Sequence, residues 1–478
     1  MKLSQLLENT PADLANIAIT GLSLDSRAAK RGDVFFAVPG TQTDGRRFMA
    51  AAAAQGAAVC YEPEGWTGEL PEQAIAVKDL RAQLSKIAGR FYGEPAKQMQ
   101  MIGITGTNGK TSCTYLLAQL LYFLGLAPAT MGTIGNGLWG RWDKTGLTTG
   151  DPIACQRWLA QFSKAGATHT VMEVSSHALD QHRIDALPFS VVAFTNLSRD
   201  HLDYHSDMQH YGDAKKRLFS AFNAKHAVIN IDDPFAKDIV HVTHANVITT
   251  GIEQNAMVRA THCQHHATGS TFQLHTPEGD GVVSTPLFGA FNIHNVLTVV
   301  GCALALGCDD AKIRTVLSKL MPAPGRLQQV KLPGKPLVMI DYAHTPDALQ
   351  QALQALKQHQ FGRIICVFGC GGERDQGKRP LMAQVAEQLS DKVVLTSDNP
   401  RHEDPVAIIE EIAAGFADKA PVLIEIDRQR AIAAAVQMAT VDDVILIAGK
   451  GHEDYQLVGD QRLPFDDTLV ARAELSAG

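Results

Sequence analysis

The residues from Met99 to Leu124 constrain this chain more than any other stretch. Met101-Ile102-Gly103-Ile104 is an apolar run of strand length, Thr105-Gly106-Thr107-Asn108-Gly109-Lys110-Thr111 is a tight turn, and Ser112 to Leu124 carries leucines at helical spacing. A buried strand, a glycine-bearing loop and a helix in that order make a phosphate cradle. Glycines let backbone N–H groups close around an anion, and the helix N-terminus adds positive potential. Lys110 can reach β- and γ-phosphates, and the Thr111 hydroxyl can ligate magnesium. The spacing G-x-x-x-x-G-K-[ST] would place glycine at 104, where this chain has Ile; G-T-N-G-K-T from Gly106 to Thr111 is a shorter variant. ATP use is the first expectation.

At 478 residues the chain is too long for one core. Its net charge of -7 comes without a long basic run, which argues against nucleic acid as a partner, so a phosphate-rich substrate must be met by local basic residues. The N-terminus, Met1 to Glu8, has no extended apolar region, and no stretch reaches the roughly 20 apolar residues of a membrane span. A cytoplasmic monomer that does not engage a membrane is expected. The 8 cysteines form no C-x-x-C pair, which suits reduced thiols.

The organisation reads as α/β in three domains with boundaries 1–97, 98–325 and 326–478. In the first, Ile17 to Thr20 begins a strand-like region. Gly32 to Gly40 leads into a buried strand, and Asp44 opens an alanine-rich helix ending near Gly56. Ser26-Arg27 and Thr41 to Arg47 flank that strand and either grip a phosphorylated group or are solvated loops. A helix from Leu80 to Phe91 and the turn Gly93-Glu94-Pro95 precede the phosphate loop. The second domain carries a strand from Thr168 to Val174 that delivers Glu173 beside the phosphate loop, well placed to hold magnesium. Another strand, Val191 to Phe194, leads into the polar run Asn196 to His205, and a helix follows from Met208 to Phe222 with Lys215, Lys216 and Arg217. Lysines on a helix are by default a solvated face. His262-Cys263-Gln264-His265-His266 matches no familiar zinc spacing and leads through Phe272 to a turn at Pro277 to Gly281, as a β-hairpin would.

Beyond Pro324-Gly325-Arg326 strands and helices alternate: Leu337 to Asp341, Pro346 to Lys357, Ile364 to Gly369, Pro380 to Leu389, Lys392 to Ser397 and Val444 to Ala448. That predicts a mostly parallel sheet covered by helices. Polar motifs fall just after strand ends, where ligands bind in open α/β sheets.

The ordered set G-T-N-G-K-T, M-E-V-S-S-H, N-L-S-R-D-H-L-D-Y-H, F-N-I-H-N, P-G-R, D-Y-A-H-T-P, D-N-P-R and G-K-G-H-E-D-Y covers essentially the whole chain and resembles the Mur ligases of peptidoglycan synthesis. The resemblance implies three parts: a small N-terminal α/β domain that binds a UDP-sugar, a central P-loop-type ATPase domain with a parallel sheet, and a Rossmann-like C-terminal domain that binds the amino acid. It implies ATP-dependent amide formation through an acyl phosphate, joining meso-diaminopimelate to UDP-N-acetylmuramoyl-L-alanyl-D-glutamate. Catalytic roles fall on Lys110, Glu173, His201 and Lys215. ATP contacts fall on Gly106, Thr107, Asn108, Gly109, Lys110, Thr111, Asn292, Asn295, Arg326, Asp341 and His344. Magnesium would be held by Thr111, Glu173, His201 and Lys215 as a carbamate, with the register from Asp200-His201 choosing Lys215 over Lys216. The nucleotide-sugar peptide would meet Leu24, Ser26, Arg27, Thr41, Gln42, Thr43, Asp44, Thr148, Thr149, Ser175, Gln181 and Arg183. Thr41 stands where relatives often carry histidine, and Thr-Thr-Gly-Asp-Pro stands where Thr-Thr-Pro is frequent. Diaminopimelate would meet Arg374, Asp398, Asn399, Pro400, Arg401, Gly449 and Glu453.

The resemblance implies that Arg401 supplies a guanidinium fork for the carboxylate that distinguishes diaminopimelate from lysine. A lysine-adding Mur ligase, a folylpolyglutamate synthetase-like ligase and an ATP-binding regulator are the alternatives. Arg401 speaks against the first, the N-terminal hundred residues against the second, and the joint presence of Lys110, Glu173, His201 and Lys215 against the third.

Overall fold

The computed structural model describes residues 1–40, 43–418 and 422–477. The chain divides into two compact units, residues 1–249 with 301–307, and residues 250–300 with those from 308 onward.

In the first unit, β1 (Gly21–Ser23), β2 (Asp33–Ala37), β3 (Ala58–Tyr61) and β4 (Ala74–Ala76) form a sheet in that order, every pair parallel. β2 is buried along its whole length, as its D-V-F-F-A run requires. Ile17 to Thr20 is not a strand. Its backbone pairs with the N-terminal turn, Leu3 N–H to Ile17 O at 2.9 Å and Ile19 N–H to Met1 O at 2.7 Å, and the ladder begins at Gly21. The alanine-rich segment is a 3-10 turn, Gly45–Phe48, running into a helix, Met49–Ala54, and the predicted helix Leu80–Phe91 is present.

A second sheet of the same unit contains β5 (Gln100–Thr105), β6 (Pro128–Met131), β7 (Asn136–Leu138), β8 (His169–Glu173), β9 (Phe189–Phe194), β10 (His226–Asn230) and the larger part of β11 (Asn246–Gly251), in the order β11-β10-β9-β5-β8-β6-β7. β5 lies between β8 and β9, parallel to both, and is buried from Met101 to Thr105. Strands covered on both faces read as continuous apolar runs, which is why this one shows no alternation. The following helix, Lys110–Phe123, starts two residues before the sequence expectation because Gly109 adopts a left-handed conformation, φ +86°, and turns the chain into it. Helices Pro152–Lys164 and Met208–Ser220 complete the central part.

In the second unit, β12 (Val258–His266), β13 (Gly269–Thr276) and β14 (Gly279–Thr285) form an antiparallel meander. The hairpin turn holds Pro277 and Glu278, and Gly279 to Gly281 belong to the strand. The histidines of this region are engaged in the hairpin: His265 Nδ1 meets Ser270 Oγ at 2.9 Å and His266 Nε2 meets Thr271 Oγ1 at 3.1 Å.

β15 (Gln328–Val330), β16 (Leu337–Asp341), β17 (Ile364–Phe368), β18 (Lys392–Leu395), β19 (Val422–Ile424) and β20 (Val444–Ala448) form the last large sheet in the order β15-β16-β20-β17-β18-β19. All its pairs are parallel except β15 with β16. A hairpin of β21 (Tyr455–Val458) and β22 (Gln461–Pro464) follows. The carboxyl ends of β5, β8, β16, β18 and β20 lead into Gly106, Glu173, Asp341, Asp398 and Gly449 respectively. Among the described residues no helix is long and apolar enough to cross a membrane.

Candidate functional site

Gly106 has φ +151° and lies so close to β9 that a Cβ there would sit 1.9 Å from Thr195 Oγ1. The segment after β9 braces the loop: Thr107 N–H donates to Asn196 O at 2.8 Å, Asn108 N–H to Asn196 Oδ1 at 2.9 Å, and Thr195 Oγ1 to Asn108 O at 2.6 Å. Lys110 Nζ folds back onto the carbonyls of Gly106 and Thr107, both at 2.7 Å. Thr111 Oγ1 donates to Glu173 Oε2 at 2.8 Å. Glu173 is 2% exposed, and its Oε1 accepts Thr133 N–H at 2.7 Å. A hydroxyl and a carboxylate are thereby paired at the start of the cradle helix, an oxygen donor set of the kind magnesium takes.

Lys215 is not on a solvated face. It is 1% exposed, donates Nζ to Gly106 O at 2.8 Å, and lies 4.3 Å from the Tyr211 ring centroid. Burial pushes its pKa well below the ordinary lysine value, and the Lys110 charge adds to the effect. Lys216 instead pairs with Asp213 at 2.5 Å at the surface. His201, in a left-handed conformation at φ +53°, packs edge-on to His177 at 5.1 Å and 5.9 Å from Tyr211; burial lowers its pKa. His177 and His205 have no role assigned from the sequence although both lie inside motifs. The His177 ring packs tilted against Tyr204 at 4.1 Å, and burial takes its pKa to about 4, while His205 Nε2 meets Ser176 Oγ at 2.9 Å.

The sequence-predicted peptide-binding residues of the central sheet converge beside Glu173. Thr149 Oγ1 donates to Glu173 O at 2.8 Å and accepts Ser175 N–H at 3.1 Å. Arg183 Nη1 donates to Thr149 O at 2.7 Å and its Nη2 to Gln181 Oε1 at 2.7 Å, and Thr148 Oγ1 meets Thr133 Oγ1 at 3.2 Å. The N-terminal candidates are more dispersed. Ser26 is buried and its carbonyl accepts Gln55 Nε2 at 3.0 Å, while Leu24 is half-buried. Arg27 is exposed and paired with Asp25 at 2.8 Å. Asp44 caps the 3-10 turn and forks onto Arg46 at 2.8 Å, and Thr43 O accepts Gly40 N–H at 3.0 Å. Arg46, in the segment that the sequence leaves as a phosphate grip or a solvated loop, is buried, with Nη1 donating to Glu64 O at 2.6 Å. Thr41 and Gln42 lie outside the described residues.

In the second unit the buried Asn292 and Asn295 are joined, Nδ2 of Asn295 to Oδ1 of Asn292 at 3.0 Å. The Asp341 carboxylate accepts Leu327 N–H and Ala343 N–H, each at 2.8 Å, and so fixes the turn carrying Arg326, whose guanidinium lies 5.2 Å from the Tyr342 ring centroid. His344 Nδ1 meets Tyr342 O at 2.9 Å. Gly325, φ +68°, leaves no room for a side chain: a Cβ would stand 2.3 Å from His452 N.

The loops after β18 and β20 interlock. Gly449, φ +114°, approaches Asp398 so closely that a Cβ would be 2.5 Å from Oδ2. Burial raises the Asp398 pKa, against the pull of Arg428 and Lys450. Asn399 Nδ2 donates to Glu453 Oε2 at 2.8 Å, and Pro400 O accepts Glu403 N–H at 3.1 Å. Arg401 is left-handed at φ +52° and donates Nη1 to Gly372 O at 2.6 Å; Arg374, exposed, stands on the neighbouring loop. A non-glycine residue held there is the kind of strain found at ligand sites. Arg428 and Asp467, both 0% exposed, are paired at 2.7 Å behind these loops, and Arg428 Nη2 donates to Ala448 O at 3.1 Å.

Comparison with known proteins gives a consistent set of matches. Family models match residues 18–92 (Mur ligase family, catalytic domain), 104–303 (Mur ligase middle domain) and 325–451 (Mur ligase, glutamate ligase domain). The UDP-N-acetylmuramoyl-L-alanyl-D-glutamate--2,6-diaminopimelate ligases of Ectopseudomonas mendocina and Xylella fastidiosa are 47% and 48% identical, each alignment covering 100% of this chain and 98% of the relative. A solved structure bearing the same enzyme name superposes with TM-score 0.77 at 35% identity, over 100% of this chain and 99% of that one. A folylpolyglutamate synthase of Mycobacterium tuberculosis, 20% identical, shares the fold over 77% of this chain and 91% of its own, with TM-score 0.63.

Proposed function

The chain belongs to the Mur ligase family, and from that we propose that it adds meso-diaminopimelate to UDP-N-acetylmuramoyl-L-alanyl-D-glutamate at the expense of ATP. The observation that carries the choice of amino acid is Arg401, held left-handed in the loop after β18, whose guanidinium spends one donor on Gly372 O and has no other protein acceptor among the described residues. Relatives 47% identical over the full chain carry the same activity in their name.

A carboxylate does not condense with an amine in water, because the anion resists nucleophiles and hydroxide leaves poorly. Transfer of the γ-phosphoryl group to the D-glutamate side of the precursor releases ADP and makes an acyl phosphate. The diaminopimelate amine attacks the carbonyl, the tetrahedral intermediate expels phosphate, and the new amide nitrogen loses a proton. Such chemistry rests on positioning and on cations that neutralise phosphoryl oxygens. The loop Gly106–Gly109, whose Thr107 and Asn108 N–H groups are held by Asn196, shapes the turn into the helix N-terminus where phosphate would sit, and Lys110, folded onto two carbonyls, supplies the mobile cation. Thr111 and Glu173, joined at 2.8 Å, fit a magnesium ion, with His201 and a carbamylated Lys215 as further ligands. Bound there, magnesium would neutralise phosphate charge. Carbamylation needs a neutral amine, and burial, which lowers the Lys215 pKa, satisfies that need.

Asn292, Asn295, Arg326, Asp341 and His344 serve the rest of the nucleotide. Leu24, Ser26, Arg27, Thr43, Asp44, Thr148, Thr149, Ser175, Gln181 and Arg183 serve the UDP-sugar peptide. Boundaries at 97/98 and 325/326 mark the functional parts, supported by one large sheet in each. The enzyme works as a cytoplasmic monomer. The deciding experiment is phosphate release with ATP, magnesium and the UDP-dipeptide, comparing meso-diaminopimelate with L-lysine. Release with diaminopimelate is expected; release with lysine would move the chain to the lysine-adding enzymes, and release with neither would remove the reading.

A further inference from the structure

We propose that Lys450 is a positioning residue that orients the Glu453 carboxylate toward the second ammonium group of the incoming amino acid. The proposal rests on the diaminopimelate reading above and deepens it.

Lys450 is 0% exposed, and a buried ammonium is costly unless its hydrogens are matched to acceptors. Here they are matched in a closed triangle: Lys450 Nζ donates to Asn399 Oδ1 at 3.2 Å and to Glu453 Oε2 at 3.1 Å, while Asn399 Nδ2 donates to the same Glu453 Oε2 at 2.8 Å. Asn399 Oδ1 also accepts Leu457 N–H at 2.9 Å. With two donors on its oxygen, the amide has one orientation, nitrogen toward Glu453. Glu453 Oε2 is thereby saturated from the protein side, and Oε1 has no donor among the described residues. That oxygen is left for a ligand donor. Diaminopimelate offers one at the end distant from the reacting amine.

Removing Lys450 takes one of the two donors from Glu453 Oε2 and leaves Asn399, still held by Leu457 N–H, as the carboxylate's single restraint, so Glu453 can rotate and the oxygen is no longer presented. The loss then falls on substrates with a distal ammonium and spares those without one. A purely supportive Lys450 would affect both kinds of substrate alike.

The test is steady-state kinetics of the wild type and of Lys450→Met and Lys450→Gln with meso-diaminopimelate and with 2-aminopimelate, which keeps the reacting amine and distal carboxylate but lacks the distal ammonium. For Lys450→Met the KM for diaminopimelate should rise about tenfold with the KM for ATP changed less than about twofold, as expected for one lost charge-assisted contact. The wild-type preference for diaminopimelate over 2-aminopimelate should fall by the same factor, and Lys450→Gln should recover part of it. An unchanged preference, or an equal rise in the KM for ATP, overturns the proposal. Should Lys450→Met not fold, the same preference is read in Lys450→Gln, where a smaller fall is expected and an unchanged preference overturns the proposal. A wild type with no diaminopimelate-dependent turnover overturns the functional reading itself, and this proposal with it.

Discussion

Replacing Arg401 by alanine should separate amino-acid recognition from nucleotide chemistry if the guanidinium binds the amino acid as proposed. In the structure the guanidinium uses one donor on the protein, Nη1 to Gly372 O at 2.6 Å, and no other protein acceptor engages its fork among the described residues. The remaining edge fits a carboxylate through two parallel hydrogen bonds. Losing a charge-assisted contact of that kind costs about 1.5 to 3 kcal/mol, or roughly tenfold to a hundredfold in kcat/KM for diaminopimelate. The stability penalty is smaller. Arginine already occupies the left-handed backbone at φ +52°, so alanine inherits that strain, and the stranded Gly372 carbonyl costs about 1 kcal/mol. Phosphate release, with diaminopimelate, ATP and the UDP-dipeptide varied in turn, should show the loss on the amino acid alone. Arg401→Lys should fall between, because an ammonium keeps the charge and loses the fork. An unchanged KM for diaminopimelate, or a matching rise for ATP, would remove Arg401 from the pocket.

Lys215→Ala should abolish ligation, and added bicarbonate should not restore it, while Lys216→Ala keeps near-normal turnover; the reverse pattern would place the functional lysine one residue later. The buried His359 accepts Gly289 N–H at Nε2 (3.0 Å) and meets His266 O through Nδ1 (2.8 Å), and burial takes its pKa to about 4, the hydrogen bond to His266 working against this and the nearby His265 and His266 with it. A histidine pKa lowered from about 6.5 gives stability that is complete above that value and is lost as pH falls toward 4, so unfolding free energy should drop by about 2 kcal/mol between pH 8 and pH 5. Denaturant unfolding at the two pH values should show a flatter dependence in His359→Gln; an unaltered slope would refute the assignment.

The phosphate loop, Glu173, Asp341 and Gly449 were legible because each follows an apolar run that could only be a buried strand, and chemistry collects at the ends of such strands. The contacts that define their roles left no local signal. Lys215 reaches Gly106 across 109 positions, so its helix face reads by default as solvated, and Arg428, which finds Asp467 across 39, carries no local signal at all. Arg379, 0% exposed and paired with Glu403 and Glu411, was missed for the same reason. β4 and β19 are three-residue strands with mostly incomplete burial, too short to show any period. Thr133 and Tyr211, which brace Glu173 and Lys215, gain their importance from geometry alone.

Gly325 touches the backbone at His452 with no space for even a methyl group, so the turn carrying Arg326 and the loop carrying Glu453 cannot shift independently. On the proposed assignment of the one loop to the nucleotide and the other to the amino acid, this contact couples the two binding events. To the extent that the nucleotide moves its loop, it alters affinity for the amino acid by some factor, and the amino acid must alter affinity for the nucleotide by that same factor. An inhibitor aimed at either loop would accordingly change the apparent affinity of the other substrate without occupying its place.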